Sequence, residues 1–458
     1  MIAVQVNLRR YIVTTRSVRR STTSRAAFMV RALRYRNYRL FFGGQVVSLI
    51  GTWISTTATS WLVYRLTGSA FLLGFVGFAG QFPSLVIGPF AGTYVDRWDR
   101  HRLLIATQTL SMLQSFVLAV LTLSGRITVP AIIILNAFQG MVNAFDMPCR
   151  QAFVLTMIED KEDLGNAIAL NSSMFNVARL LGPSMAGGII AVASEGWCFL
   201  IDGFSYFAVI VALLQMRIAR RPVAATHSVG VLRQFVEGWT YVAGFRPIRS
   251  IITLLALVSF VGVPYTVLTP IFANTILGGG PYTLGFLMTA SGGGALLGAL
   301  WLAARRSVLG LGRLIPIAAG TFGIGLIAFS LSRTLWLSLF SMFVTGAGLM
   351  VQMGASNTLI QTIVDDEKRG RVMSFYVMAF LGTAPFGSLM AGTLSARIGA
   401  PQTLLIGGVC CIAGALWFAS TLPTLRQAIH PIYIRMGILP ELASGLQTAT
   451  EPSMPPED

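Results

Sequence analysis

Charged residues are scarce in this chain. They make up 11% of its 458 residues, whereas hydrophobic residues make up 54% and the mean hydropathy is +0.70. Soluble domains usually contain about 25% charged residues. So little charge cannot cover a water-facing surface, which excludes a soluble globular protein and predicts a chain that crosses a membrane many times.

Acids, cysteines and enzyme signatures are also few. The chain has 17 acidic and 34 basic residues. The basic residues lie in short connectors without a nucleic-acid-binding motif, so no nucleic acid partner is expected. Four cysteines lie in or beside apolar runs without metal-ligand spacing, which argues against zinc and a disulfide framework. GFVGFAG (74–80) matches neither a P-loop nor a dinucleotide fingerprint. We therefore expect no enzyme, cofactor or metal.

Twelve apolar runs are each long enough, at roughly 20 residues, to cross a bilayer as a helix. They cover residues 38–64, 70–95, 103–124, 129–149, 165–193, 197–216, 250–276, 282–304, 314–332, 335–357, 372–396 and 401–420. The predicted domains are a basic, disordered N-terminal tail (1–37), a first six-helix bundle (38–217), a connector (218–249), a second bundle (250–420) and a C-terminal tail (421–458).

The two halves of the chain resemble each other. TMIEDKED (156–163) is echoed by TIVDDEKR (362–369), and GPSMAGG (182–188) by GSLMAGT (387–393). Two related six-helix units are typical of transporters, with the substrate path between them. The predicted fold is an all-α membrane protein of twelve transmembrane helices in two pseudo-symmetric bundles.

Arginine placement predicts the orientation. Arginines concentrate before the first span and in every second connector, while the other connectors carry only Arg65, Arg126, Arg333 and Arg397. The positive-inside rule then predicts that both termini lie on the cytoplasmic side of the inner (plasma) membrane. Residues 1–30 are typical of either a transit peptide or a cytoplasmic tail, and Met29 is an alternative start to Met1.

The connector contains VLRQFVEGW, whose apolar residues recur at helical spacing: Leu232, Phe235, Val236 and Trp239. This pattern predicts an amphipathic helix. It would lie either on the inner membrane face or against the protein's own cytoplasmic loops.

Residues 92–102, GTYVDRWDRHR, contain the spacing G-x-x-x-D-R-x-x-R. This resembles the loop between helices 2 and 3 of the major facilitator superfamily. NAFDMPCRQAF (143–153), NAIALNSSMFNVARLLGPSMAGG (166–188) and RGRVMS (369–374) are similar to its drug/proton-antiporter branch, which includes enterobactin exporters, macrolide efflux proteins and transmembrane secretion effectors. The resemblance covers about 38–420.

The resemblance implies a conformational latch formed by Gly92, Asp96, Arg97, Arg100 and Asp146. Asp96 would lie near the amino end of the eleventh helix, at 370–374, and Arg100 would pair with Asp146. The latch would hold the outward-facing state and open when the cytoplasmic side opens. The alternative is a loop whose arginines only mark the inside. Three features depart from the family pattern: Asp99 replaces a glycine, His101 replaces a basic residue, and Ser307 replaces the aspartate in the second half.

Charge inside the spans is costly, at about 2.5–3.5 kcal/mol, so each such residue is a functional candidate. Spans 7–12 have none. In the first half, Arg179 shares a helix face with Asn176 and would hold an anionic substrate group or act as a fixed charge; the alternative is pairing with carbonyls or Asn143. Asp202, predicted near the outer surface, would couple protons or be a hydrated interfacial residue.

Gly182, Pro183, Gly187 and Gly188 form a signature in the fifth span. The residues themselves predict a bend and close helix packing, while exchange transport follows only from the resemblance. Asn136 stands where related antiporters often have an arginine.

Amides on other spans complete the candidate substrate surface: Gln45, Gln139, Asn143 and Gln352. Apolar walls with methionine and aromatic residues suit varied amphiphiles. We expect a monomeric exporter of drug-like compounds or a siderophore, embedded in the lipid bilayer and driven by proton antiport. A lipid or lysolipid transporter, or a membrane sensor or scaffold, are the alternatives.

Overall fold

The computed structural model describes residues 30–95, 97–217, 231–305 and 307–435. It contains twelve helical segments long and apolar enough to span a membrane, which confirms the predicted number. The first bundle consists of α1 (Arg36–Thr67), α2 (Ala70–Val95), α3 (Arg100–Leu123), α4 (Val129–Met157), α5 (Lys161–Val192) and α6 (Glu195–Leu214). After the connector helix α7 (Val231–Gly244), the second consists of α8 (Arg246–Leu257), α9 (Tyr265–Ile271), α10 (Pro281–Ala303), α11 (Leu311–Leu331), α12 (Leu335–Ile363), α13 (Asp366–Leu381), α14 (Ala384–Ile398) and α15 (Ala400–Arg435).

The molecule has two ends that differ in charge. We call the end with the α2–α3, α4–α5 and α12–α13 turns the basic end, and the opposite end, with the α1–α2 and α3–α4 turns, the arginine-poor end. In the first bundle α6 packs against α1 and α3, and α2 against α4. Between bundles, α5 packs against α10 and α2 against α14.

Two spans of the second bundle are broken. The seventh contains two π-helical turns, Val258–Gly262 and Phe272–Ile276, around α9. The eleventh is interrupted between α13 and α14, just before Pro385, which has no N–H to donate to the preceding turn. The breaks meet, because the Ser259 hydroxyl donates to the carbonyl of Phe380 over 2.5 Å. Side-chain hydrogen bonding thus satisfies backbone that the helix leaves open inside the membrane.

Part of the predicted N-terminal tail is ordered. Arg31–Arg34 form a 3₁₀ turn, and the Ala32 N–H donates to Asn166 Oδ1 at 2.9 Å. Asp163 accepts ion pairs from Arg31 at 2.7 Å and from Arg34 at 2.8 Å. The prediction of a disordered tail is therefore wrong for residues 30–37, since these charges attach the segment to the α4–α5 turn. Residues 1–29 lie outside the described part of the chain.

The last helix is longer than predicted. α15 runs to Arg435, and Leu425 and Ile429 are buried in the second bundle. Residues 421–435 therefore belong to the folded bundle and not to a tail. Residues 436–458 lie outside the described ranges.

The predicted connector helix is present as α7, and it packs on the protein itself. Glu237 pairs with Arg371 of α13 at 2.7 Å. A Cβ on Gly238 would lie 2.8 Å from the Phe375 ring, and the Trp239 ring lies 6.0 Å from the same ring. These contacts support the second of the two predicted placements. The side chains of Leu232 and Phe235 are outside the described part.

The Asp163 cluster gives the first testable prediction. Asp163 is buried and bridges two arginines, whereas Asp160 is exposed and binds only at the cluster's edge. Asp163→Asn should lower the stability of the purified protein by about 1–2 kcal/mol, because charge-assisted bonds to a buried carboxylate are lost. Asp160→Asn is the matched control with little effect. Thermal unfolding in lipid nanodiscs measures both, and equal Tm shifts would contradict the anchoring role of Asp163.

Candidate functional site

Glycines bring the backbones of α5 and α10 into contact. A Cβ on Gly285 would lie 2.7 Å from the carbonyl oxygen of Pro183, and one on Gly292 would lie 2.8 Å from that of Arg179. A Cβ on Gly187 would lie 3.2 Å from the Cα of Gly285. No larger residue fits without moving a helix, so small residues set this inter-bundle distance, as is usual in membranes.

The other two members of the α5 signature are placed differently. Gly182 faces α1, where a Cβ would lie 2.4 Å from the Cβ of Trp53. Gly188 has looser surroundings, since its nearest neighbour is the Tyr282 ring at 3.9 Å. The absence of a side chain at Gly182 therefore allows α5 to pack closely against α1 at Trp53.

A second seam joins α2 to α14 at the arginine-poor end. A Cβ on Gly74 would lie 2.4 Å from the carbonyl oxygen of Ser388. At the same end the hydroxyls of Tyr64 and Thr275 are 2.5 Å apart and connect the bundles. Towards the basic end, a Cβ on Gly88 of α2 would meet nothing within 4 Å. These contacts hold the bundles together in the arginine-poor half, whereas the surface of α2 is open at Gly88.

Arg179 lies beside the first seam, on the face of α5 that bears Phe175. Its guanidinium carbon is 5.9 Å from the centroid of the Trp53 ring, within cation–π range. Phe175 meets Trp53 edge-on at 5.8 Å and is 43% exposed. Within the described ranges, no carboxylate lies within 4.0 Å of the guanidinium. Asn143, the alternative partner in the sequence analysis, accepts from Gln139 instead, at 3.1 Å.

Asn176 lies one turn before Arg179 and is buried. Its Nδ2 donates to the carbonyl of Ser172 at 2.9 Å. Its Oδ1 has no hydrogen-bond partner among the residues that the structure describes. A buried acceptor without a partner is unusual and leaves room for a donor from a ligand or water.

Asp202 lies inside the first bundle, between α1 and α3. It is 3% exposed, so the alternative of a hydrated interfacial residue is wrong. Ser115 donates to Oδ2 at 2.8 Å, whereas Oδ1 has no partner in the described part of the chain. Gly51 makes the approach of α1 possible, since a Cβ there would lie 3.0 Å from Oδ1. Asp202 is a buried carboxyl group without a cation partner in the described ranges.

Asp146 is held by residues of the first bundle. In this structure its carboxylate pairs with Arg150, one turn along α4. Thr107 and Gln108 of α3 also donate to its Oδ1, at 2.9 and 2.7 Å. Asp146 thus ties α3 to α4 inside the first bundle.

The predicted latch loop is only partly described. Asp96 lies outside the described residues, and Gly92 lies in the last turn of α2. Arg97 is exposed. Asp99 accepts from the N–H groups of His101 and Arg102 at 3.0 and 3.3 Å, so this departure from the family pattern caps α3.

The amide residues do not form one substrate surface. Gln45 and Gln352 are 1% and 0% exposed, so each is buried within its own bundle. Gln139 lies between α4 and α3, where its Nε2 donates to Ser111 Oγ at 3.0 Å. Of the residues expected to bind substrate, the structure groups Arg179 and Asn176, and it separates them from Asp202 and these glutamines.

Sequence reasoning missed the polar face of α3. Thr107 and Gln108 donate to Asp146, Ser111 accepts from Gln139, and Ser115 donates to Asp202. The recurrence of these polar α3 side chains every three or four residues in an apolar span was the available signal. It also missed the ion pair in which Arg65 Nε lies 2.7 Å from buried Glu195 at the arginine-poor end.

Comparison with known proteins now identifies the family. The sequence model for transmembrane secretion effectors matches residues 29–435. The chain belongs to this family of the major facilitator superfamily. It is 29% identical over 389 residues to the staphyloferrin A transporter of Staphylococcus aureus, covering 83% of this chain and 95% of that protein. It is 25% identical over 400 residues to macrolide efflux protein A of Streptococcus pyogenes, covering 83% and 96%.

Solved structures share the fold. A bacterial homologue of the human lysosomal transporter Spinster, inward-facing and unoccupied, has a TM-score of 0.68 at 13% identity, over 86% of this chain and 98% of that chain. A D-xylose–proton symporter has a TM-score of 0.65 at 17% identity, over 85% and 97%. The protein is a multi-pass membrane transporter of the efflux type and not an enzyme.

The seam contacts give a second prediction. Gly74→Val should push α2 away from α14 at the arginine-poor end, because overpacking against backbone costs about 1–3 kcal/mol. Gly88→Val is the control on the same helix, since its site is open. The readout is the labelling rate of Thr275→Cys by a membrane-impermeant maleimide added at the arginine-poor side. The rate should rise in the Gly74 variant only; unchanged labelling would show that this seam does not close the cleft.

Proposed function

We propose that the protein is a secondary active exporter of amphiphilic small molecules, drug-like compounds or a siderophore, which works by alternating access and proton antiport. The observation that carries the proposal is the interface that holds the bundles together in the arginine-poor half and leaves α2 open at Gly88, with a cation and aromatic rings beside it. The named relatives, a siderophore transporter and a macrolide efflux protein, support these substrate classes.

Arginine placement supports the orientation. The basic end carries the arginine-rich connectors. The positive-inside rule therefore places this end, and both termini, on the cytoplasmic side of the inner membrane. In this orientation the cleft opens to the cytoplasm and the structure is inward-facing. An exporter in this state is ready to receive substrate from inside the cell.

Asp202 is the proposed proton-coupling group. Moving a carboxylate charge out of water costs several kcal/mol unless it is paired, and within the described ranges no cation pairs with this carboxyl group, to which the Ser115 hydroxyl donates. Cys198 and Tyr206 lie one turn away on α6, and neither supplies a positive charge. Because α1 contacts both Asp202, at Gly51, and Arg179, at Trp53, protonation can change how α1 packs in the cleft.

The proposed latch is the loop from Gly92 to Arg100 with Asp146. A modified version is supported by two contacts: Arg150 pairs with Asp146, and Asp99 caps α3. Gly370, near the predicted docking position on α13, has open space around it, since a Cβ there would meet nothing within 4 Å. In the outward-facing state the loop would close on α13.

Lipid transport is the second candidate. Phenylalanines on α2 and α14 form a column along the α2–α14 seam, with ring centroids 4.8 Å apart for Phe78 and Phe82 and 5.8 Å apart for Phe78 and Phe386. Phe386 is 43% exposed. A lateral route for an acyl chain along this seam would favour a lysolipid substrate.

The third prediction tests coupling in inverted membrane vesicles with an imposed pH gradient. A panel of a macrolide, staphyloferrin A and a lysolipid would be compared in wild type and Asp202→Asn. The variant should lose accumulation against a gradient but keep substrate exchange at equal pH, because it can bind substrate but cannot exchange a proton. Glu195→Gln is the control: this acid is equally buried on α6 but paired with Arg65, so coupling should persist.

Two outcomes would contradict the proposal. If no member of the panel moves protons in wild type, antiport is wrong. If Asp202→Asn keeps uphill transport, the coupling group lies elsewhere. Transport of the lysolipid alone would select the second candidate.

A further inference from the structure

Arg179 is a deeply placed charge that the described protein does not neutralise. It lies thirteen residues before the arginine-poor end of α5, about 20 Å along the helix. The hydrocarbon core is only about 30 Å thick, so this position is far from either headgroup layer. A charge there needs water, a counter-ion or a ligand.

The nearby acids are already engaged or face elsewhere. Asp146 pairs with Arg150, and Glu195 pairs with Arg65. Asp202, on α6, lies between α1 and α3, where Ser115 donates a hydrogen bond to it. Within the described ranges none of these carboxylates is within salt-bridge distance of Arg179.

The surroundings of Arg179 combine one cation with an aromatic wall and a free acceptor. Trp53 lies under the guanidinium, and the exposed Phe175 edge continues the wall towards the cleft. The Oδ1 of Asn176, without a described partner, could accept from a ligand hydroxyl or N–H. A guanidinium binds carboxylate, phosphate or sulfonate through paired N–H donors.

Both bundles contact this region. The Thr289 hydroxyl of α10 donates to the carbonyl of Leu180 at 3.2 Å, and the Thr57 hydroxyl of α1 lies 3.7 Å from the sulfur of Met288. Pro183 lacks the N–H that would bond the Arg179 carbonyl, so Gly292 can pack on that oxygen. A ligand bound to Arg179 therefore lies where the bundles meet.

We propose that Arg179, Asn176, Trp53 and Phe175 form an anion subsite, so that the preferred substrates are amphiphilic anions: a carboxylate, phosphate or sulfonate joined to an apolar or aromatic body. This inference rests on the proposed export function and specifies its substrate class. The anionic group binds Arg179 in the inward-facing cleft, and the apolar body lies along Trp53 and Phe175.

The test compares two probes of similar shape and opposite charge, 2-naphthylacetate and 2-(2-naphthyl)ethylammonium. Binding to the full-length protein in phosphatidylcholine nanodiscs is measured with radiolabelled probes. Wild type should bind the anion about tenfold or more tightly than the cation. Arg179→Gln should remove this preference by weakening the anion alone, and Arg179→Lys should keep part of it because the charge remains.

Arg126→Gln is the matched control, because it removes the same charge from an exposed turn. Size-exclusion profiles and Tm values establish that each variant is folded. Equal binding of the two probes to wild type, or an equal loss of both in Arg179→Gln, would overturn the subsite and leave Arg179 a structural role.

A lipid headgroup presents the same chemistry as a small anion, so the discs are varied. Anion binding that persists when phosphatidylglycerol is added supports a small-molecule substrate. Arg179-dependent competition by phosphatidylglycerol assigns the subsite to a headgroup and overturns the proposed substrate class. The vesicle panel distinguishes failure of the anion subsite from failure of the proposed export function. Transport of the macrolide, an amine cation, without staphyloferrin A, a carboxylate, would refute the anion subsite alone. Transport of no compound would refute the exporter.

Discussion

Close backbone contact between two helical bundles is the constraint on which the rest of this transporter depends. In lipid there is no hydrophobic force between apolar helices, so association needs tight packing and hydrogen bonds. Gly74 on α2 and Gly285 and Gly292 on α10 remove the side chains that would hold the bundles apart. Both seams lie where the bundles can close one end of the cleft and leave the other end open.

The few charges of the first bundle fall into two groups, those with an ion-pair partner and those without one. Glu195 and Asp146 each have an arginine partner: the Glu195–Arg65 pair joins α6 to α1, whereas Asp146 and Arg150 pair along α4. Arg179 and Asp202 have no ion-pair partner in the described part of the chain. The second bundle has no charge inside its predicted spans, so the charged groups that we propose to act in transport lie in the first bundle.

The fold was largely predictable from the sequence, and the site only in part. Apolar run length determines the number of spans, and repeated phrases such as GPSMAGG reveal the two bundles. The burial of Asp202 was not predictable. It depends on which helices pack over α6, and the number of spans does not determine the packing. Asp146 pairs with Arg150 one turn away on the same helix, and its pairing with Arg100, which the resemblance implies for the outward-facing state, stays a prediction. The extension of α15 was missed because its last turns are polar enough to resemble a tail.

The central claim is that the bundles rock about the two seams so that the cleft opens at one end at a time. Pulsed electron paramagnetic resonance tests it directly with two pairs of spin labels on exposed positions, in a protein whose own cysteines are replaced. Labels at Trp98 and Gly370 report the basic end, and labels at Arg126 and Asn274 report the arginine-poor end. When pH or substrate shifts the equilibrium from the inward-facing to the outward-facing state, the Trp98–Gly370 distance should shorten while the Arg126–Asn274 distance lengthens. Distances that change in the same direction, or at one end only, would contradict alternating access in this protein.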